Sequence, residues 1–134
     1  MTVSLWLPRR APNLNALLRA KSTVYGKGKV RTDAYAKLKA SWAETVELCA
    51  RLKGPLFAGR CLKLGRVSVH YDFVEPNRRR DPDNLAGGSK VLTDGLVKAG
   101  VLAGDGWDEI AGLSFSWRVG SPAGVLVTLT PEAA

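Results

Sequence analysis

Residues 67–85 read VSVHYDFVEPNRRRDPDNL. The first part alternates. Val67, Val69, Tyr71 and Phe73 point one way, and Ser68, His70 and Asp72 the other, which is the pattern of a half-buried strand. We expect the strand to span residues 61–74, with Glu75-Pro76-Asn77 closing it. The period then changes. Pro82 biases Asp81 toward an extended backbone, and Leu85, Leu92, Leu96 and Ala99 recur at helical spacing over residues 84–99. Gly100 is suited to a positive φ at the helix end, with Val101 packing back.

On the N-terminal side, residues 32–52 form the strongest helical pattern, with Thr32 as cap and Asp33 in the first turn. Tyr35, Leu38, Trp42, Val46 and Cys49 make its apolar stripe, and Gly54-Pro55 ends it. Residues 3–7 read as a short strand that stops at Pro8. Between these lies a basic segment, residues 9–31, expected to be a partly mobile loop with at most one helical turn at 14–20. Its Gly26-Lys27-Gly28-Lys29 tip lacks the spacing of a phosphate-binding loop. On the C-terminal side, residues 110–119 alternate with Leu113, Phe115, Trp117 and Val119 inward. Residues 125–130 make a last strand, expected to pair with them across 120–124. The sum is one α+β domain over residues 1–134, a mixed sheet packed with two main helices.

Composition narrows the function. Of 134 residues, 46% are hydrophobic, enough for a core, and no apolar run approaches a membrane span. The first apolar stretch is short and its cations follow it, so we expect a cytoplasmic protein with no membrane partner. Cys49 and Cys61 are then buried thiols, not a disulfide. The net charge is +8, and it is unevenly placed: residues 1–66 carry 14 Lys/Arg against 3 Asp/Glu, residues 67–134 carry 6 against 9. A basic surface suits a polyanion, DNA above all.

The acids collect beside the cations of Arg78-Arg79-Arg80-Asp81-Pro82-Asp83-Asn84. In an extended segment Asp81 and Asp83 share a face. Hard oxygen donors without nearby His or Cys suit Mg²⁺ or Mn²⁺. Such an ion withdraws charge from a phosphodiester and activates water. Arg78, Arg79 and Arg80 are candidates to hold the DNA backbone beside it. Lys90 lies on the helix face of Asp83, Gly87 and Asp94; it either serves the phosphate or pairs with Asp94. Gly87-Gly88 weakens the helix start, which points to close approach of another backbone, DNA included, or to a later start near Ser89. His70 reads as a partly exposed structural histidine and Trp107 as a packing residue.

The series Arg80-Asp81-Pro82-Asp83-Asn84-Leu85, Lys90, Asp94 to Leu102 and Asp105, with Pro8, Pro12, Asn13 and Asn15 near the start, resembles the RusA family of Holliday junction resolvases. That resemblance implies a homodimer that cuts four-way DNA junctions by paired nicks with Mg²⁺ or Mn²⁺, in recombination and repair. It implies metal-binding roles for Asp81, Asp83 and Asp105, and catalytic or DNA-contact roles for Lys90 and Arg80. Asn84, Asn15, Arg19, Lys21, Lys27 and Lys29 are further candidate DNA contacts. The pattern departs in two places. Lys90 lies three residues further from Asp83 than in the best-known members, and Gly104-Asp105-Gly106 supplies one acid where the family often has two, with Asp108 and Glu109 shortly after. Two other readings stay open: a non-catalytic DNA- or RNA-binding module, and a metal-dependent nuclease for flaps or forks.

Overall fold

The structure is a computed structural model; it describes residues 2–21, 24–25, 29–30, 33–53 and 65–132, with side chains left aside for residues 20–33 and 53. The elements run β1 (Val3–Leu7), α1 (Leu14–Lys21), β2 (Val24–Tyr25), β3 (Lys29–Val30), α2 (Asp33–Lys53), β4 (Val67–Glu75), α3 (Pro82–Lys98), β5 (Ile110–Val119) and β6 (Gly124–Pro131). Together they make a single α+β domain. A four-stranded mixed sheet in the order β1-β6-β4-β5 carries the helices on one face, and β2 and β3 form a small separate hairpin.

The alternation in β4 orders the core. Val67, Val69, Tyr71 and Phe73 are fully buried, and they meet Leu85, Leu92 and Leu96 of α3 and Trp42 and Val46 of α2. The expected stripe of α2 thus faces the sheet, although Cys49 at its end is only partly buried. Thr32, Cys61 and Lys27 lie outside the described residues, as do residues 61–64 of the expected strand; Gly65 and Arg66 precede β4 and are not part of it.

Three expectations need correction. The segment expected to be a loop contains the two-turn helix α1 and the hairpin β2–β3. The Asn13 side chain caps α1 by accepting a hydrogen bond from the Ala16 N–H (2.8 Å). Second, β5 does not pair with β6. It lies parallel to β4, with Tyr71 opposite Phe115, while β6 is antiparallel to both β4 and β1. The reason is α3: a parallel neighbour needs a crossover, and the helix with its following loop supplies one. Third, β5 is consequently an edge strand beyond the reach of the helices. Leu113, Trp117 and Val119 stand on the core side of the sheet yet are about half exposed, at 50, 51 and 53%. Phe115 alone of the four is drawn in, stacked on Tyr71 at 6.0 Å between ring centroids.

Helix α3 starts at Pro82 with proline in its first turn, where the missing N–H costs nothing. It does not start late at Ser89. The backbone that approaches Gly87 and Gly88 belongs to the chain itself: a Cβ on Gly88 would collide with the Pro12 carbonyl, and one on Gly87 would press on Leu14. At the other end Gly100 has φ 82° and Val101 is buried, as expected of the stop.

Candidate functional site

The C-terminal ends of β4 and β5 and the N-terminus of α3 enclose a cleft of about 470 Å³. Its cations are Arg78, Arg80 and Arg118, its apolar wall includes Leu85, Trp117 and Val119, and Asp81 stands at its rim. Asp81 is the residue before α3, extended at φ −74°, ψ 147° as Pro82 dictates. Its carbonyl accepts from the N–H groups of Asn84 (3.1 Å) and Leu85 (3.2 Å), while its carboxylate makes no capping hydrogen bond. Asp83 already lies inside the first helical turn, and its Oδ1 accepts from the Asn84 N–H (2.9 Å). Asp81 is extended while Asp83 is helical, so strand alternation is not what sets the two acids relative to one another. Both are exposed at the positive end of the helix dipole.

Asp105 is elsewhere. It sits in the loop after α3, and that loop is tied to the opposite end of the sheet. The Val67 N–H donates to the Glu109 carbonyl (2.9 Å), and Arg66 Nε donates to the Trp107 carbonyl (3.1 Å). The 17 residues of α3 separate the two ends by about 25 Å at 1.5 Å per residue. Among the described residues no three His, Cys, Asp or Glu side chains are grouped to hold a metal ion. Within one chain, Asp105 thus stands at the end of the sheet opposite Asp81 and Asp83.

Lys90 is also away from Asp81. Seven residues of helix set it about 10 Å along the axis from Asp83. It is exposed and pairs with Asp94 (3.5 Å), which also meets Lys39 (3.6 Å). Arg80 turns inward: its Nη1 donates to the Ala11 carbonyl (2.5 Å) and lies 3.6 Å from Glu75 Oε1. Burial pulls its pKa down, and the Glu75 carboxylate opposes that. Arg80 is therefore a structural anchor first. Arg78 and Arg79 are exposed, with the Arg79 N–H held by Asn77 Oδ1 (3.0 Å), and they are the cations open to a phosphate. Asn84 is half-buried, and Asn15 and Arg19 are exposed on α1. Lys21 ends α1 and Lys29 lies in β3, with side chains outside the described set.

Glu75 is the functional-site residue that sequence reading missed. It is 4% exposed, bonded through Oε1 to Arg10 (3.1 Å), and its Oε2 has no hydrogen-bond partner among the described residues. The signal was present: Glu75 shares the parity of Val67 to Phe73 and so points into the core side. A second missed group is on the open face of the sheet. His70 bonds Ser114 (2.6 Å) and Ser116 (2.8 Å); Ser116 donates to Asp72 (2.9 Å), and Asp72 pairs with Arg118 (3.1 Å). This chain locks β5 to β4, which gives His70 the structural role expected of it. Trp107, expected to pack, is 92% exposed.

The chain matches no protein-family model and no curated protein at a significant level. No described helix is long and apolar enough to cross a membrane.

Proposed function

We propose that this protein binds branched DNA and cuts it as a metal-dependent, RusA-like junction endonuclease whose active unit is a pair of chains. The observation that carries the reading is the cleft at the start of α3. Exposed Arg78, the positive helix end and an Asp81 carboxylate that makes no capping hydrogen bond lie together there, with exposed Arg79 next to Arg78 in the chain. Cations and free N–H groups suit the phosphate backbone, and free carboxylates beside it suit a hard ion.

Asp105 stands at the far end of the sheet, so on this reading the three carboxylates would meet between two copies. Asp81 and Asp83 of one chain and Asp105 of the other would hold Mg²⁺ or Mn²⁺. When bound, the ion would polarise the phosphodiester and lower the pKa of its water. The residues of this chain would position the strand: Arg78 and Arg79 on phosphates, and Lys90 further along the exposed face of α3.

The test is complementation. Asp81→Asn and Asp105→Asn chains are assayed separately, and then mixed, on a synthetic four-way junction with Mg²⁺. Each alone should be inactive. A mixed pair retains one complete site, so it should nick one strand without the symmetric partner cut. Inactivity of every mixture, with full-length binding preserved, overturns the proposal. The separation of Asp105 then favours the second reading, a basic domain that holds DNA without cutting it; undiminished cleavage by either single variant rejects both.

A further inference from the structure

The proposed function requires a second chain, and the structure indicates where it sits. Edge strand β5 is ten residues long and carries no Lys or Pro to block pairing. Its core-side row of Leu113, Trp117 and Val119 is half exposed, although these residues continue the apolar face of β4. A long apolar edge with open backbone groups is a template for another strand. The two ends of the strand differ in charge. Asp105, Asp108 and Glu109 precede it, while Arg78, Arg80 and Arg118 line the cleft at its end beside Glu75 and Asp81.

We infer that a second copy of this chain docks along β5 in antiparallel fashion, with Trp107 of each chain entering the cleft of the other. A two-fold axis perpendicular to the sheet keeps each face continuous, so directly opposed residues must share a face. The axis at Phe115 sets Leu113 against the partner's Trp117 and Ala111 against the partner's Val119, pairing apolar with apolar along the row. Moving the axis to Ser114 would set Glu109 against the partner's Val119 and lose that match. The antiparallel arrangement brings each acidic loop to the basic end of the other chain. Trp107 is the side chain left over: it is 92% exposed on a loop whose backbone Arg66 holds in place. The cleft opposite, about 470 Å³ and walled by Leu85, Trp117 and Val119 among arginines, has room for an indole and suits its face. The docking rests on the two-chain reading above and adds to it an interface.

The experiment reads oligomeric state and cross-linking, not cleavage. Sedimentation of the full chain should show twice the monomer mass at micromolar concentration. Trp107→Ala should raise the dissociation constant at least tenfold while circular dichroism stays unchanged. In a Cys49→Ser, Cys61→Ser background, the pair Leu113→Cys and Trp117→Cys should cross-link two chains on mild oxidation. In an antiparallel ladder opposed Cα atoms stand within disulfide range, whereas residues 113 and 117 of one strand stand about 13 Å apart. A monomeric wild-type chain, or a dimer that keeps its affinity in Trp107→Ala and whose cysteine pair does not cross-link, overturns the inference. If Asp81→Asn and Asp105→Asn chains complement while the cysteine pair stays reduced, the nuclease reading stands and this interface is wrong. If the pair cross-links and no mixture cuts, the interface stands and the nuclease reading falls.

Discussion

The carbonyl oxygen of Pro12 occupies the space that a Cβ at position 88 would need, so Gly88 and Pro12 join the N-terminal segment to the first turns of α3. Backbone on backbone leaves nothing to rotate away. Gly88→Ala should therefore lower stability by about 2–4 kcal/mol, the overpacking cost outweighing a gain of about 1 kcal/mol in helix propensity. Gly87→Ala meets only the Leu14 side chain, which can adjust, and should lie within about 1 kcal/mol of the parent. Urea unfolding of the two variants checks the contrast; equal effects would contradict it.

Glu75 divides the arginine run by role. Arg80 and Arg10 both lean on its buried carboxylate. Glu75→Gln should destabilise the fold by about 1–3 kcal/mol, since it removes the charge from two ion pairs at once. Arg80→Ala should likewise lower the melting temperature. Arg78→Ala and Arg79→Ala should leave it unchanged, weaken DNA binding, and each reduce the salt slope of the affinity by about 1. Melting curves and binding titrations at several salt concentrations separate the two classes.

Lys90 should act on binding, not on the chemical step. Its exposed pair with Asp94 is of the kind worth about 0.3–0.5 kcal/mol, so Lys90→Ala should hardly change stability. Its distance from Asp83 predicts a raised KM with kcat within a few-fold of the parent, and recovery in Lys90→Arg. A large loss of kcat at saturating DNA would place Lys90 in the reaction itself.

Tyr71 ties β4 to α3 inside the core. Thr93 donates its hydroxyl to the Ser89 carbonyl (3.0 Å), which leaves it to accept from the Tyr71 hydroxyl (2.6 Å). Tyr71→Phe should cost about 1 kcal/mol, measured by denaturant unfolding. Burial pushes the Tyr71 pKa up, and the charge on Asp94 adds to the rise. Only the unfolded chain then ionises near pH 10, so this contribution is intact below about pH 10 and is lost as pH rises above it. The parent should lose stability more steeply than Tyr71→Phe between about pH 9.5 and 11. Parallel curves would show that Tyr71 does not titrate with unfolding.

Much of the architecture was legible in local pattern. The alternation of Val67, Val69, Tyr71 and Phe73, the stripe through Trp42 and Val46, the proline start and the Gly100 stop each involve residues within a turn or two of one another. Periodicity and backbone restriction act at that range, and the structure agrees with them. The extended Asp81 is of the same kind, because Pro82 sets it. The buried Glu75 was legible too, by the parity of its strand, but its purpose depended on Arg10 and Arg80 arriving from elsewhere.

What the chain alone determined, then, is which residues form each strand and helix and which acids and cations exist to be used. Tertiary structure decided that β5 runs beside β4 instead of β6, that Arg80 faces Glu75, and that Asp105 ends up in the loop at the opposite end of the sheet from Asp81. The physical reason is that α3 works as a rigid spacer. A helix fixes the distance between its ends whatever its flanking motif suggests, and only packing against the sheet decides where those ends point.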